Sequence, residues 1–151
     1  MHSEKIRPIA ICVCCHKDKI LVAEGHDSKK NQTFYRPLGG TIEFGERGEE
    51  TIRREFVEEI GAELTDIRYL GMVENIFVYE GWRGHEIVLV YDGRLKDKSF
   101  YEKEIIQGDE LGQKFKAVWK RMDEFGGDMP PIYPDGLLEL LGFYRDSLPQ
   151  H

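Results

Sequence analysis

Residues 49 to 61 constrain the fold more than any other stretch of the chain. Ile52, Phe56 and Ile60 recur every four residues, the repeat of a helix that buries one side. Gly61 follows directly, where a left-handed residue ends a helix. The spacing predicts a helix over Glu49 to Ile60, anchored through that apolar stripe. Its flank carries Glu55, Glu58 and Glu59. Residues three and four apart are neighbours on a helix, so Glu55 lies beside both of the others. Like charges so close destabilise a helix, and desolvating them costs more. Two readings follow: a solvated acidic face, or a cradle for a hard cation such as Mg²⁺, which prefers carboxylate and water oxygens.

The rest of the chain alternates β-like runs with turn signals. Pro8 to Cys15 reads as a buried strand, Lys17-Asp18-Lys19 as a tight turn, and Ile20 to Glu24 as the returning strand. Gly25 to Gln32 is polar and loop-like. Thr33 to Leu38 is a short strand halted by Pro37 and Gly39-Gly40. Leu64 to Tyr79 ends strand-like, Gly81 to Gly84 reads as a hairpin turn, and His85 to Leu95 is strongly β-forming. Lys96 to Gln113 is polar and long for a connection, which marks it as a functional loop. Phe115 to Trp119 is a last strand and Leu137 to Tyr144 a C-terminal helix. Strands mixed with two helices, one of them central, predict a sheet sandwiched between helices.

A chain of 151 residues suits one domain, taken here as 1–151. Its longest apolar run, Ile9 to Cys15, is too short to span a bilayer, and the N-terminus lacks a secretion-signal layout, so a cytoplasmic protein without a membrane partner is expected. Cys12, Cys14 and Cys15 form a poor disulfide framework. Strand alternation puts the first two on one face and the third on the other, which fits buried apolar residues rather than a zinc site. The formal net charge is -7. Bulk nucleic acid is therefore excluded as a partner, since duplex binding rests on lysine and arginine. A phosphate-bearing small molecule would be repelled too, unless a divalent cation intervenes.

Gly40, Glu46, Arg54, Glu55, Glu58, Glu59 and Gly61 fill all seven fixed positions of Gly-x5-Glu-x7-Arg-Glu-U-x-Glu-Glu-x-Gly-U, with U bulky and aliphatic. The segment resembles the Nudix box of the MutT-like hydrolases. Phe56 and Ala62 stand at the two U positions; Ala62 departs from the pattern by its size, which weakens local packing and touches no metal ligand. The resemblance implies an α/β fold, a Nudix-type α/β/α sandwich with a mixed β-sheet, and Mg²⁺-dependent hydrolysis of a pyrophosphate bond, with Mn²⁺ as a substitute. It implies that Glu55, Glu58 and Glu59 bind the cation together with the backbone carbonyl of Gly39. In some members the residue matching Glu55 is instead the general base. Arg54 would orient a box glutamate, and Glu46 would support the loop–helix geometry.

Family members often take a further acid from a late loop, where Glu102, Glu104 and Glu110 lie; Glu110, nearest the Phe115 strand, is preferred, and Glu74 and Glu86 are further candidates. Tyr35 could stack on a base and Arg36 grip a phosphate, as could Tyr79, Trp82 and Arg83; His85 fits a rim hydrogen bond better than a ligand contact. The substrate expected is a nucleotide-type small molecule, a nucleoside diphosphate linked to another moiety. Tyr79 falls where diadenosine polyphosphate hydrolases carry a tyrosine. The proline of ADP-ribose pyrophosphatases is missing from Asn75 to Val78, and the Ser-Gln-Pro-Trp-Pro-Phe-Pro run of NADH-cleaving members is absent. A catalytically silent, nucleotide-sensing domain is the alternative, although such domains usually lose box glutamates. A homodimer is compatible with the sequence.

Overall fold

The structure, a computed structural model, describes residues 4–144. Strand β1 (Ile6–Val13) lies at its centre. Its residues alternate between two apolar clusters, with Ile9, Ile11 and Val13 in one and Ala10 and Cys12 in the other. Burial on both faces explains why this segment is a continuous apolar run rather than an alternating one. Cys14 joins Cys12 and Cys15 lies opposite, all three as buried free thiols.

Two sheets share this core. The first is mixed: β5 (Leu38–Thr41), β1, β7 (Trp82–Leu95) and β6 (Leu64–Tyr79), in that order, with β1 and β7 parallel and the other pairs antiparallel. The second is antiparallel: β2 (Cys15–His16), β3 (Lys19–Asp27), β9 (Gln113–Arg121) and β8 (Ile105–Glu110), with β4 (Gln32–Arg36) also on β3. Helix α1 (Gly48–Ile60) sends Ile52 and Phe56 into one cluster, and α2 (Leu137–Gly142) sends Leu137 and Leu141 into the other. The helices thus take opposite faces of β1, as the expected α/β/α layering requires.

Several boundaries differ from the sequence reading. The segment Lys96 to Gln113 is not one long loop: it holds a 3₁₀ turn at Lys98–Glu102 and then β8. Leu111 and Gly112, both at positive φ, make the two-residue turn into β9. Leucine is a poor marker for such a turn, so nothing in composition announced it. The β6–β7 turn sits at Glu80-Gly81 rather than Gly81 to Gly84, and the polar stretch from Gly25 is strand as far as Asp27.

Candidate active site

Two carboxylates brace the start of helix α1. The Arg47 backbone N–H donates to Glu50 Oε1 at 2.8 Å, and the buried Thr51 hydroxyl donates to Glu46 Oε1 at 2.7 Å. It ends at Gly61, which adopts φ 69° and ψ 26°. Between these fixed ends the apolar stripe faces β1 and β5, leaving the glutamate flank beside the end of β8. There an oxygen from each of Glu55, Glu59 and Glu110 lies within 4.8 Å of the others.

The three carboxylates are unequal. Glu110 is exposed, Glu55 half-buried, and Glu59 only 7% exposed. Glu59 Oε2 is buried without a hydrogen-bond partner. Burial raises the Glu59 carboxyl to about 10, helped by a carboxyl–carboxylate hydrogen bond with Glu55 and by the charges of Glu55 and Glu110, while the charge of Arg36 opposes the rise.

Arg54 braces the flank. It donates through Nε and Nη2 to both oxygens of Glu46 at 2.7 and 2.9 Å, and through Nη1 to Glu55 at 2.7 Å and Glu58 at 3.3 Å. Nη2 also reaches the Thr41 carbonyl at 3.3 Å. The bidentate grip holds the Glu46 carboxyl down at about 2. Gly40 closes the site from β5: a Cβ there would stand 2.5 Å from Glu55 Cδ. A Cβ on Gly39 would stand 2.0 Å from the Ala10 carbonyl oxygen, so β5 approaches β1 only because the residue is glycine.

Not every expected residue arrives here. Glu58 is not gathered with the trio; its side chain is 56% exposed and turned to Arg54. Helix spacing alone made it equivalent to Glu59, but the sheet lies on Glu59's side. Tyr35 is a correction as well. It is 7% exposed, packs in the core against Phe125, and donates its hydroxyl to Glu24 at 3.0 Å, so it offers no face to a ligand. Strand alternation turns its neighbour Phe34 the other way, edge-on to Tyr79 at 5.8 Å and to Tyr133 at 5.7 Å. Arg36, next after Tyr35, is near enough to lower both Glu59 and Tyr79 by its charge.

The other acids lie elsewhere. Glu102 and Glu104 line a separate cavity of about 380 Å³ with His16, Tyr101 and Trp119. Glu86 is buried against Asn75, and Glu74 is on the outer face of β6.

The model of the NUDIX domain family matches residues 5–136. The chain belongs to the NUDIX domain family. Every fixed position of the box is filled. Its fold is similar to that of a MutT NUDIX hydrolase from Burkholderia pseudomallei, at TM-score 0.66 and 18% identity over 91% of this chain and 98% of that one. It is similar also to the E. coli ORF135 protein, at TM-score 0.58 and 21% identity over 100% and 99% of the two chains. In sequence, 71 residues are 35% identical to the NAD-capped RNA hydrolase NudC of Vibrio cholerae serotype O1. That match takes in 47% of this Nudix chain and spans 26% of the length of NudC.

Proposed function

We propose that this Nudix hydrolase cleaves the pyrophosphate bond of a nucleoside diphosphate linked to a second moiety, with Mg²⁺ at Glu55, Glu59 and Glu110 and Mn²⁺ as a working substitute. The observation that carries the reading is the buried, unpartnered Oε2 of Glu59 between two further carboxylates. Hard oxygen donors of that kind fit Mg²⁺, and a cation displaces the proton that Glu59 otherwise keeps. When bound, the cation neutralises phosphate oxygens and acidifies a water.

The chain's own residues supply the rest. Glu55 and Glu59 hold the cation with the Gly39 carbonyl, and Arg54 holds Glu55 in orientation. Glu58 acts as a brace for Arg54 rather than as a member of the cradle. Glu110, the exposed acid of the trio, would hold the cation through one carboxylate oxygen and accept the proton of the attacking water on the other. The water oxygen bonds to phosphorus as the bridging P–O bond breaks, giving two phosphate-bearing products. Arg36, close to Glu59 and Tyr79, would grip the phosphates, and Tyr79, packed edge-on with Phe34, would contact the base.

The test is a screen of nucleoside diphosphate compounds, diadenosine polyphosphates and damaged nucleoside triphosphates included, with Mg²⁺ or Mn²⁺. Released phosphate is read after phosphatase coupling. Turnover should need the cation, and Glu59→Gln should lower it at least about a hundredfold while the fold survives, as loss of a metal-site group does. Nucleotide binding without turnover in the intact chain would favour the sensing alternative instead.

A further inference from the structure

Three partly exposed rings bridge the two sheets. Phe34 on β4 packs edge-on to Tyr79, at the end of β6, and to Tyr133, ahead of α2, with ring centres 5.8 and 5.7 Å away. Two of the three are fixed by their own surroundings. Phe34 lies against β3 so closely that a Cβ on Gly25 would stand 2.5 Å from Phe34 Cζ. The Tyr133 backbone N–H donates to the Tyr35 carbonyl at 2.9 Å. Tyr79 sits instead at the tip of the β6–β7 hairpin, paired with Trp82 across the turn Glu80-Gly81. That turn is strained: Glu80 adopts φ 51°, in the left-handed region that a glutamate disfavours.

Asp27 holds this tip. Its side chain is buried at the end of β3, and both carboxylate oxygens are occupied. Oδ1 accepts the backbone N–H groups of Lys29 and Lys30, at 2.9 and 3.1 Å, which shapes the turn between β3 and β4. Oδ2 accepts the backbone N–H of Glu80 at 3.1 Å, from the other sheet. Glu80 reciprocates: its carboxylate accepts the backbone N–H of Ser28 at 2.6 Å and the Ser28 hydroxyl. The two turns are thus tied in both directions, at the residue directly after Tyr79. Burial first, then acidic neighbours that in both cases include Asp27, raises the hydroxyls of Tyr79 and Tyr133; the carboxylate therefore lies close to two of the three rings. Arg36, two residues along β4 from Phe34, acts by its charge on both Tyr79 and Glu59, so the rings adjoin the acidic trio.

We propose that Asp27 is a positioning residue for the substrate's base: through Glu80 it seats Tyr79 beside Phe34 and Tyr133, completing a rim next to the acidic trio. This rests on Tyr79 contacting the base, as in the proposed function. Asp27 itself is sealed beneath the rim, so it acts on the hold over the nucleoside and not on the phosphates. Asparagine cannot replace it, because both oxygens face N–H donors and an amide NH₂ would set donor against donor. Glutamine can replace Glu80, because the Ser28 hydroxyl can turn and accept from the amide.

Calorimetric titration of the full chain in Mg²⁺ tests this, with ADP, GDP, CDP and UDP as nucleotides and inorganic pyrophosphate as the control without a base. For the nucleotide that the wild type binds tightest, Asp27→Asn and Glu80→Ala should each weaken binding about tenfold, the scale of a lost base–ring contact. Glu80→Gln should stay within about twofold of wild type, and pyrophosphate binding should move by no more than about twofold in any of the three. Asp27→Asn added to Tyr79→Ala should weaken nucleotide binding no further than Tyr79→Ala alone, since the two act through one contact. A merely structural role would lower the melting temperature and leave these affinities, compared well below melting, unchanged. Glu80 lies in a surface turn, so Glu80→Ala carries the test should Asp27→Asn fail to fold. Unchanged nucleotide affinity, equal losses of nucleotide and pyrophosphate, or a further loss in the double variant overturns the positioning while Tyr79→Ala still weakens nucleotide binding. If Tyr79→Ala binds as the wild type does, or the wild type binds no nucleotide, the base contact itself fails and the positioning falls with it.

Discussion

Arg54 shows how one residue can set the electrostatics of the whole flank. Its guanidinium touches Glu46, Glu55 and Glu58 at once, and no lysine could reproduce the two-pronged contact with Glu46. Glu46 is ionised well below the usual range because of that contact, at about 2 against an ordinary 4.5. A depressed carboxyl contributes stability above its unfolded value, and that contribution disappears as pH falls from about 4.5 towards 2. Glu46→Gln should therefore melt below wild type at neutral pH, with the gap narrowing across that acidic window. Thermal denaturation at a series of pH values checks this, and a gap independent of pH contradicts it. Glu59 is the opposite case: burial and its acidic neighbours raise its carboxyl, so ionising it opposes folding, a cost that a cation bound there would relieve.

At the scale of elements, two glycines around α1 separate folding from chemistry. Gly61 has φ 69° and open space where a Cβ would go, so Gly61→Ala costs only backbone strain, about 1 kcal/mol. Gly40 meets the movable end of Glu55, so Gly40→Ala displaces a carboxylate at little cost to the fold. The first should lower the melting temperature by about 2–4 °C and spare activity. The second should leave melting nearly unchanged and lower turnover about tenfold or more. Equal effects of the two substitutions on turnover would contradict the geometry. Helix α1 was legible from its four-residue repeat and glycine cap, and β1 and β7 from their apolar runs. Strand β8 was not, because Gln107 to Glu110 is polar and its turn is Leu111-Gly112. The same limit applied to the site. Helical spacing identified an acidic flank, yet only the docking of α1 against β8 distinguishes Glu59 from Glu58 and brings in Glu110. Period-two alternation along β4 separates Tyr35 from Phe34.

For the molecule as a whole, the net charge of -7 and the acid-lined site pose one problem together. A polyphosphate approaching the trio meets repulsion from its carboxylates, which Arg36 and any cation held there would offset. The fold answers part of it by placing Arg36 at the end of β4, close to the carboxylates that it partly offsets. No helix among the described residues is long and apolar enough to cross a membrane. Crystals grown with Mn²⁺ and a non-cleavable nucleotide test the central claim most directly, through anomalous scattering. A peak bonded to Glu55, Glu59 and Glu110, lost in Glu59→Gln, is the result expected; Mn²⁺-supported turnover with no peak beside those three carboxylates would contradict it.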